Sequence, residues 1–462
     1  MSAIANRALA DLMAEAGMSN KKLAGKLREL ALSHGLPGSY THVYVARWLE
    51  GMHPRGQTPH LIASVLGREL GRVVTLDDIG MTATAADLAP GFGLDFAPAP
   101  QTILRTTRRL WEADLGREPL LRLDDVPAKT LLSPMGLWLI AVPPQPPRRS
   151  GRARKVTEAD VERVRLTTHL FEDLDHRFGG EYRRQTAVQY LHGEVSELLH
   201  SQYVAAVGRE LFAAAAVMTY KVGAMAYDSG LHGLARRYFM QALNLAHVAG
   251  DRPLAGKVWA LLSHQANFLG EYGDAVAFAR AAKLGAQSAA TPTVHAMYCA
   301  MEARALASLG DRRNAIAALR EAERSHGKGR PETEPDWIAY FDRAELCDEF
   351  GHSFAALGDK GDAIEFAQLT LRESSDRFPR SRVFAQLTLA GAHLDGKPLE
   401  RDVEQACLVA GAALERAGHI RSARVRQYVT RFNRRLTPYE KKAAAVGEFR
   451  EQWHDLLRRC AS

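Results

Sequence analysis

The residues of this chain with the widest chemical repertoire are its 17 histidines and four cysteines. Metal and nucleophile chemistry require them at set spacings, and those spacings are missing. Cys299, Cys347, Cys407 and Cys460 stand about 50 residues apart, so they spell neither a zinc knuckle nor a redox dithiol. No His-Glu-x-x-His pair, Gly-Lys-Ser/Thr phosphate loop or Gly-x-Ser-x-Gly elbow occurs. GFGLDF at 91–96 lacks the third glycine of a dinucleotide loop and the strand that should precede it. The sequence thus reads as a non-enzyme with no cofactor, no catalytic residue and no metal site.

What remains is charge and hydrogen bonding. Sixty basic against 53 acidic residues leave +7, which permits an anionic partner without requiring one. Arg148, Arg149, Arg152, Arg154 and Lys155 follow a proline run in PPQPPRRSGRARK at 143–155, the signature of an extended, solvated hinge. Arg421, Arg424, Arg426, Arg431, Arg434 and Arg435 are spread among apolar neighbours such as Val425 and Phe432, and read as a solvated helical face.

These groups must be held by folded elements. A length of 462 residues allows about three domains of roughly 150 each, and 46% hydrophobic with 24% charged residues is globular. Met1–Leu12 carries Arg7 and Asp11 and lacks the apolar core of an export signal. The run Leu211–Val217 is far short of the roughly 18 residues that span a bilayer. A cytoplasmic chain is expected, and a reducing compartment suits the unpaired cysteines.

Residues 1–80 hold four or five short helical patterns. The second is capped by Ser19, the third runs from about Thr41 to Glu50, and Gly51 and Pro54 break the chain before a fourth capped by Thr58. Residues 81–155 read as a connector: a loose stretch from Met81 to Ala99, a helix at Ile103–Leu115, a short strand at Leu137–Val142, then the hinge. Residues 156–462 are helical and repetitive. Gly230, Gly270, Gly310, Gly358 and Gly418 are each followed five residues later by alanine, at steps of 40, 40, 48 and 60. In the first three copies a further alanine follows at Ala242, Ala282 and Ala322. A glycine that reverses the chain and a small residue that lets the next helix approach define a helical hairpin, and stacked hairpins make a superhelix with a concave face. The fold expected is all-α: a small N-terminal helix-turn-helix domain and then an α-solenoid.

Ser19–Gly67 resembles the XRE, or lambda-repressor-like, helix-turn-helix of bacterial, actinobacterial-type regulators, through Leu23-Ala24, Val45-Ala46-Arg47-Trp48-Leu49-Glu50-Gly51, Pro54 and Leu61–Gly67; GRVVTLDDIG at 71–80 is similar to the tail that follows that domain. LGEYGDAVAFARAA at 269–282 and LGDRRNAIAALREA at 309–322 resemble tetratricopeptide repeats. The first resemblance implies a third helix set in the major groove of double-stranded DNA. It places Thr41, His42, Val43, Tyr44 and Arg47 at base edges, Arg47 first because a guanidinium bonds guanine twice. It also puts Ser19, Asn20, Lys21, Lys22 and Arg55 at phosphates. The second implies a groove for a peptide or protein ligand lined by Tyr220, Tyr227, His264, Asn267, Arg304, Asp348 and His352. Together they imply a transcriptional regulator on the cytoplasmic nucleoid that pairs as a homodimer. The alternative is a repeat scaffold whose N-terminal module does not bind DNA.

Overall fold

The computed structural model describes residues 6–33, 39–54, 58–72, 74–76, 78–81, 91–97, 99–116, 121, 126–147, 155–286 and 289–461. Among them the chain is all-helical, a small N-terminal domain followed by a helical solenoid. Extended pairing is limited there to one bridge, Lys155 with Gln202.

Four helices build the small domain: α1 (Arg7–Glu15), α2 (Asn20–Ser33), α3 (His42–Leu49) and α4 (Thr58–Leu70). Apolar residues at three- and four-residue steps give each helix one inward stripe, so Leu9, Leu23, Leu27, Val45, Trp48 and Leu61 bury one another. Side chains cap the starts of the first two helices, the second at the expected Ser19. Asn6 Oδ1 accepts from the Leu9 amide at 3.0 Å, and Ser19 Oγ from the Lys22 amide at 3.2 Å.

The rest of the chain forms one continuous body. Helices α5 (Pro100–Leu115), α6 (Leu132–Ile140), α7 (Glu158–Phe178), α8 (Arg184–Tyr190) and α9 (Ser196–Leu199) precede five hairpins. These pair α10 (Ala205–Asp228) with α11 (His232–Ala249), α12 (Arg252–Leu269) with α13 (Tyr272–Ala286), and α14 (Pro292–Leu309) with α15 (Arg312–His326). The last two pair α16 (Arg343–Leu357) with α17 (Lys360–Glu373), and α18 (Pro379–His393) with α19 (Val403–Ala417); α20 (Ala423–Arg435) and α21 (Ala444–Ala461) follow.

The first four hairpins turn on the expected glycines. Gly230, Gly270, Gly310 and Gly358 have φ of +79°, +86°, +85° and +76°, a region that favours residues without Cβ. In each turn the amide after the glycine bonds the carbonyl five residues back, as Leu231 N to Ala226 O at 2.9 Å. Ala235, Ala275, Ala315 and Ala363 are fully buried where the paired helices meet. The fifth copy is different. Gly418 follows α19 with a right-handed φ of −57°, Ala423 is half-buried, and the fifth hairpin turns through 394–402 with Gly396 at φ +89°. The step of 60 was the mark of that break in register.

Three expectations about the middle and end of the chain change. Leu137–Val142 is no strand: α6 covers it to Ile140, because Pro134 and Trp138, four apart, are the buried residues while Leu137 and Ile140 face out. The connector is not loose over 91–97, where Arg237 Nε donates to Phe92 O (3.0 Å), Gln241 Nε2 to Gly93 O (2.8 Å) and Asn244 Nδ2 to Asp95 O (3.0 Å). Leu94, Ile103, Trp111 and Trp138 share the solenoid's core. The hinge arginines 148, 149, 152 and 154 lie outside the described residues. Among the C-terminal arginines, Arg424 is not solvated. Its side chain is 13% exposed and its guanidinium lies 4.5 Å over Tyr227 and 4.8 Å over Phe384.

Helix α20 therefore lies against the inner side of the superhelix, where Tyr428 stacks on Phe268 of α12 at 5.8 Å. The chain also ties its late and early parts together. Arg421 N donates to Phe178 O at 2.7 Å, and the Gly180 amide and Ser422 hydroxyl both donate to Asp228, at 2.9 and 2.8 Å. A Cβ on Gly179, at φ +85°, would stand 2.4 Å from Arg421 O, so only glycine lets the two segments close.

Candidate functional site

Two places collect the residues singled out by sequence. The first is the outer edge of α3. With Val45 and Trp48 buried three apart on a helix of eight residues, Thr41, His42, Val43, Tyr44 and Arg47 are left in solvent; Val43 is 47% exposed and Tyr44 42%. Tyr44 lies along Trp48 at 6.5 Å, and Arg28 Nη1 donates to Tyr40 O at 2.5 Å just ahead of the helix. Arg47 is exposed and has no ion-pair partner among the described residues, Glu50 included. At the start of α2, which packs on α3, Ser19, Lys21 and Lys22 are exposed and Asn20 is half-buried. Lys22 stands 3.6 Å from Glu69, which Lys26 also contacts, and the Lys26 hydrogen bond holds that carboxyl below its ordinary range. Arg55 lies outside the described residues.

The second place is a cavity of about 220 Å³ inside the solenoid. Tyr220, Tyr227, His264, Arg304, Asp348 and His352 all line it; Asn267, also expected there, does not. Asn267 lies three residues beyond His264 on α12, next to the turn, where its carbonyl accepts from Gly270 N. The sequence reading missed several walls. Lys221 and Lys257 come from α10 and α12, Glu345 and Glu349 from α16, Arg380 from α18 and Arg424 from α20. Tyr340 and Phe341 arrive on the segment before α16, the stretch responsible for the step of 48.

Most charges here are paired. Arg304 donates to both oxygens of Glu349 at 3.0 and 2.9 Å and to Tyr428 OH at 3.2 Å. Arg380 bridges Asp175 (2.6 Å) and Asp228 (3.0 Å), and Lys221 meets Glu172. Lys257 bonds the Tyr340 hydroxyl, its ammonium 4.1 Å from that ring. Burial governs protonation. It pulls Lys257 down to about 7 and keeps His264 and His352 well below their usual range, the latter two with help from Arg304 and Arg424. Burial, then the neighbouring carboxylates, pushes Glu345 up to about 8 and Asp348 up to about 7.

A carboxyl raised in the fold keeps its proton where the unfolded chain, with a pKa near 4.3, has lost it. Its stabilising contribution is therefore complete at low pH and disappears as pH climbs toward 8. Glu345→Gln, which cannot titrate, is expected to gain stability relative to the parent between pH 5 and 8 and to run parallel to it below pH 4. Urea midpoints across that range check the sign; a variant that loses ground as pH rises contradicts it.

A third cluster has the residue types of a metal site. Ligand atoms of His295, Cys299 and Glu321 lie within 4.8 Å of one another. Within it His295 Nε2 meets Glu321 at 2.7 Å, Lys283 reaches the same carboxylate at 3.4 Å, and burial pushes the Cys299 thiol up to about 12.

Fold and sites thus define an all-helical protein that couples a small N-terminal domain to a solenoid enclosing a charged cavity. Residues 9–82 match the model of the family described as the SP15 N-terminal domain, a stretch that coincides with the small domain. No curated protein matches the chain.

Proposed function

We propose that this protein is a sequence-specific DNA-binding transcriptional regulator, cytoplasmic and nucleoid-associated, whose solenoid binds a peptide or protein effector and pairs as a homodimer. The observation that carries the reading is the edge of α3, where Thr41, His42, Val43, Tyr44 and Arg47, side chains that could meet base edges, are exposed together over buried Val45 and Trp48. The cationic start of α2 beside it suits phosphate. Pairing suits such a small reading surface, because two half-sites multiply affinity, and the outward Leu137, Ile140 and Val142 offer apolar area for it. No helix among the described residues is long and apolar enough to cross a membrane. The engagement of Lys22 and Lys26 by Glu69 favours the second reading, a protein-interaction scaffold, since cations already paired attract phosphate less.

Mobility shifts of genomic fragments at two salt concentrations separate the two: salt-sensitive, sequence-selective shifts support the regulator, and none at low salt supports the scaffold. Arg47→Ala is expected to weaken operator binding by about 1–3 kcal/mol and to relax preference at one base pair. Unchanged affinity and base preference in a variant with parental circular dichroism would remove Arg47 from the reading surface.

A further inference from the structure

Helix α16 presents Glu345, Asp348, Glu349 and His352 to the cavity at helical steps of three and four residues, so the four share one wall. Their surroundings are unequal. Glu349 is neutralised by Arg304, as Glu172, Asp175 and Asp228 are by Lys221 and Arg380. Glu345 has no ion-pair partner among the described residues, and Asp348 has only His352 at 3.6 Å, which burial keeps uncharged. The lysine nearest in charge terms to Glu345, Lys257, is bonded to Tyr340. The whole lining holds seven carboxyls, from Glu172, Asp175, Asp228, Asp342, Glu345, Asp348 and Glu349, against the five cations Lys221, Lys257, Arg304, Arg380 and Arg424, a surplus of two carboxyls.

An independent observation comes from α10. Tyr220 is 2% exposed and lines the cavity, yet its hydroxyl has no hydrogen-bond partner. A buried phenol normally finds one, so this hydroxyl is available to a guest. Leu261, Met297 and Met301 complete the lining with apolar, adaptable surface. For scale, an apolar cavity of about 150 Å³ accommodates benzene.

We infer that the cavity takes a small ligand bearing a primary ammonium group, lodged against Glu345 and Asp348 with its stem along Met297 and Met301 and a polar atom within reach of Tyr220. A lysine side chain and a peptide's N-terminus both carry that group. The inference rests on the effector role proposed above and names the chemistry of the effector.

Titration calorimetry on the full chain tests it with four probes: cadaverine, Nα-acetyl-lysinamide, alanyl-alaninamide, and a succinylated dipeptide amide that carries a carboxylate in place of the amine. Saturable binding of amine probes is expected, with the succinylated probe silent. Tighter binding of the acetylated lysine than of the dipeptide identifies a side-chain amine, and the reverse order identifies a chain terminus. Glu345→Gln with Asp348→Asn should weaken the amines at least tenfold. If the double variant loses helix content, either single change is read instead against the same threshold. Amine probes that fail to bind, that bind the variants equally, or that bind less well than the succinylated probe overturn the inference. Because the assay contains no DNA, its failure beside intact, selective operator shifts rejects the ammonium and leaves the regulator standing. Loss of operator shifts with amine binding intact does the reverse.

Discussion

Asp114→Ala is expected to destabilise the fold by about 3–5 kcal/mol, because it strands a buried charge. Asp114, 3% exposed on α5, accepts two hydrogen bonds from Arg184 at 2.5 and 3.0 Å and one from Tyr238 OH at 2.7 Å. Arg184 is itself 8% exposed, so its guanidinium has no water to turn to once the carboxylate is gone. The contrast is Glu181, whose pair with Arg426 at 2.7 Å has side chains 35% and 40% exposed; its alanine variant should lose about 1 kcal/mol or less. Distance alone does not separate the two pairs, but access to solvent does. Equilibrium urea unfolding of both variants checks the difference. A loss below 1 kcal/mol for Asp114→Ala would mean that the segment holding α5 is detachable. Replacing Asp114 and Arg184 together by leucine and methionine should recover much of the loss, since no charge then remains unpaired.

Asp228→Ala is the second large effect, again about 3–5 kcal/mol, with a different spatial consequence. Asp228, 2% exposed at the end of α10, accepts from Gly180 N, Arg380 Nη1 and Ser422 Oγ, which belong to three segments far apart in the chain. Without it Arg380 keeps only Asp175, and Ser422 keeps only its capping bond to the Val425 amide at 3.1 Å. The expected signature is local as well as global: amide exchange in α18 and α20 should rise more than in α12 and α14, which do not touch Asp228. Uniform acceleration across all four helices would show that Asp228 supports the core at large and not the closure.

The legible part of the fold was what repeats locally. Gly230 and Ala235 announce a hairpin within six residues, and the same signal at Gly270, Gly310 and Gly358 is enough to place the inner faces of α10, α12, α14 and α16. Counting back from those turns accordingly gathered Tyr220, Tyr227, His264, Arg304, Asp348 and His352 around one cavity. The helix cap at Ser19 follows from an equally short-range rule. What stayed hidden depends on residues distant in sequence. Arg424 sits in a composition identical to its solvated neighbours, and only the stacking over Tyr227, almost 200 residues earlier, turns it inward. Arg237, Gln241 and Asn244 are polar interruptions of an apolar helix, visible as such, but their partners at 92–97 carry no pattern that announces the strap. Trp138 was misplaced because six apolar residues in a row fit either period, and the choice was made by the space beside Gly285, where a Cβ would come within 2.1 Å of the indole.

The closure of residues 178–181 and Asp228 on residues 421–422 also bears on how the protein is made. Stacked repeats can fold one after another as they leave the ribosome, each leaning on the last. The cavity cannot, because Asp228 and Ser422 are 194 residues apart. At about 5–20 residues per second, roughly 10–40 s of synthesis separates them. During that interval the N-terminal domain and early hairpins can be folded while Asp175 and Asp228 still wait for Arg380 and Ser422. A nascent chain would then have its α3 edge ready well before its cavity is closed.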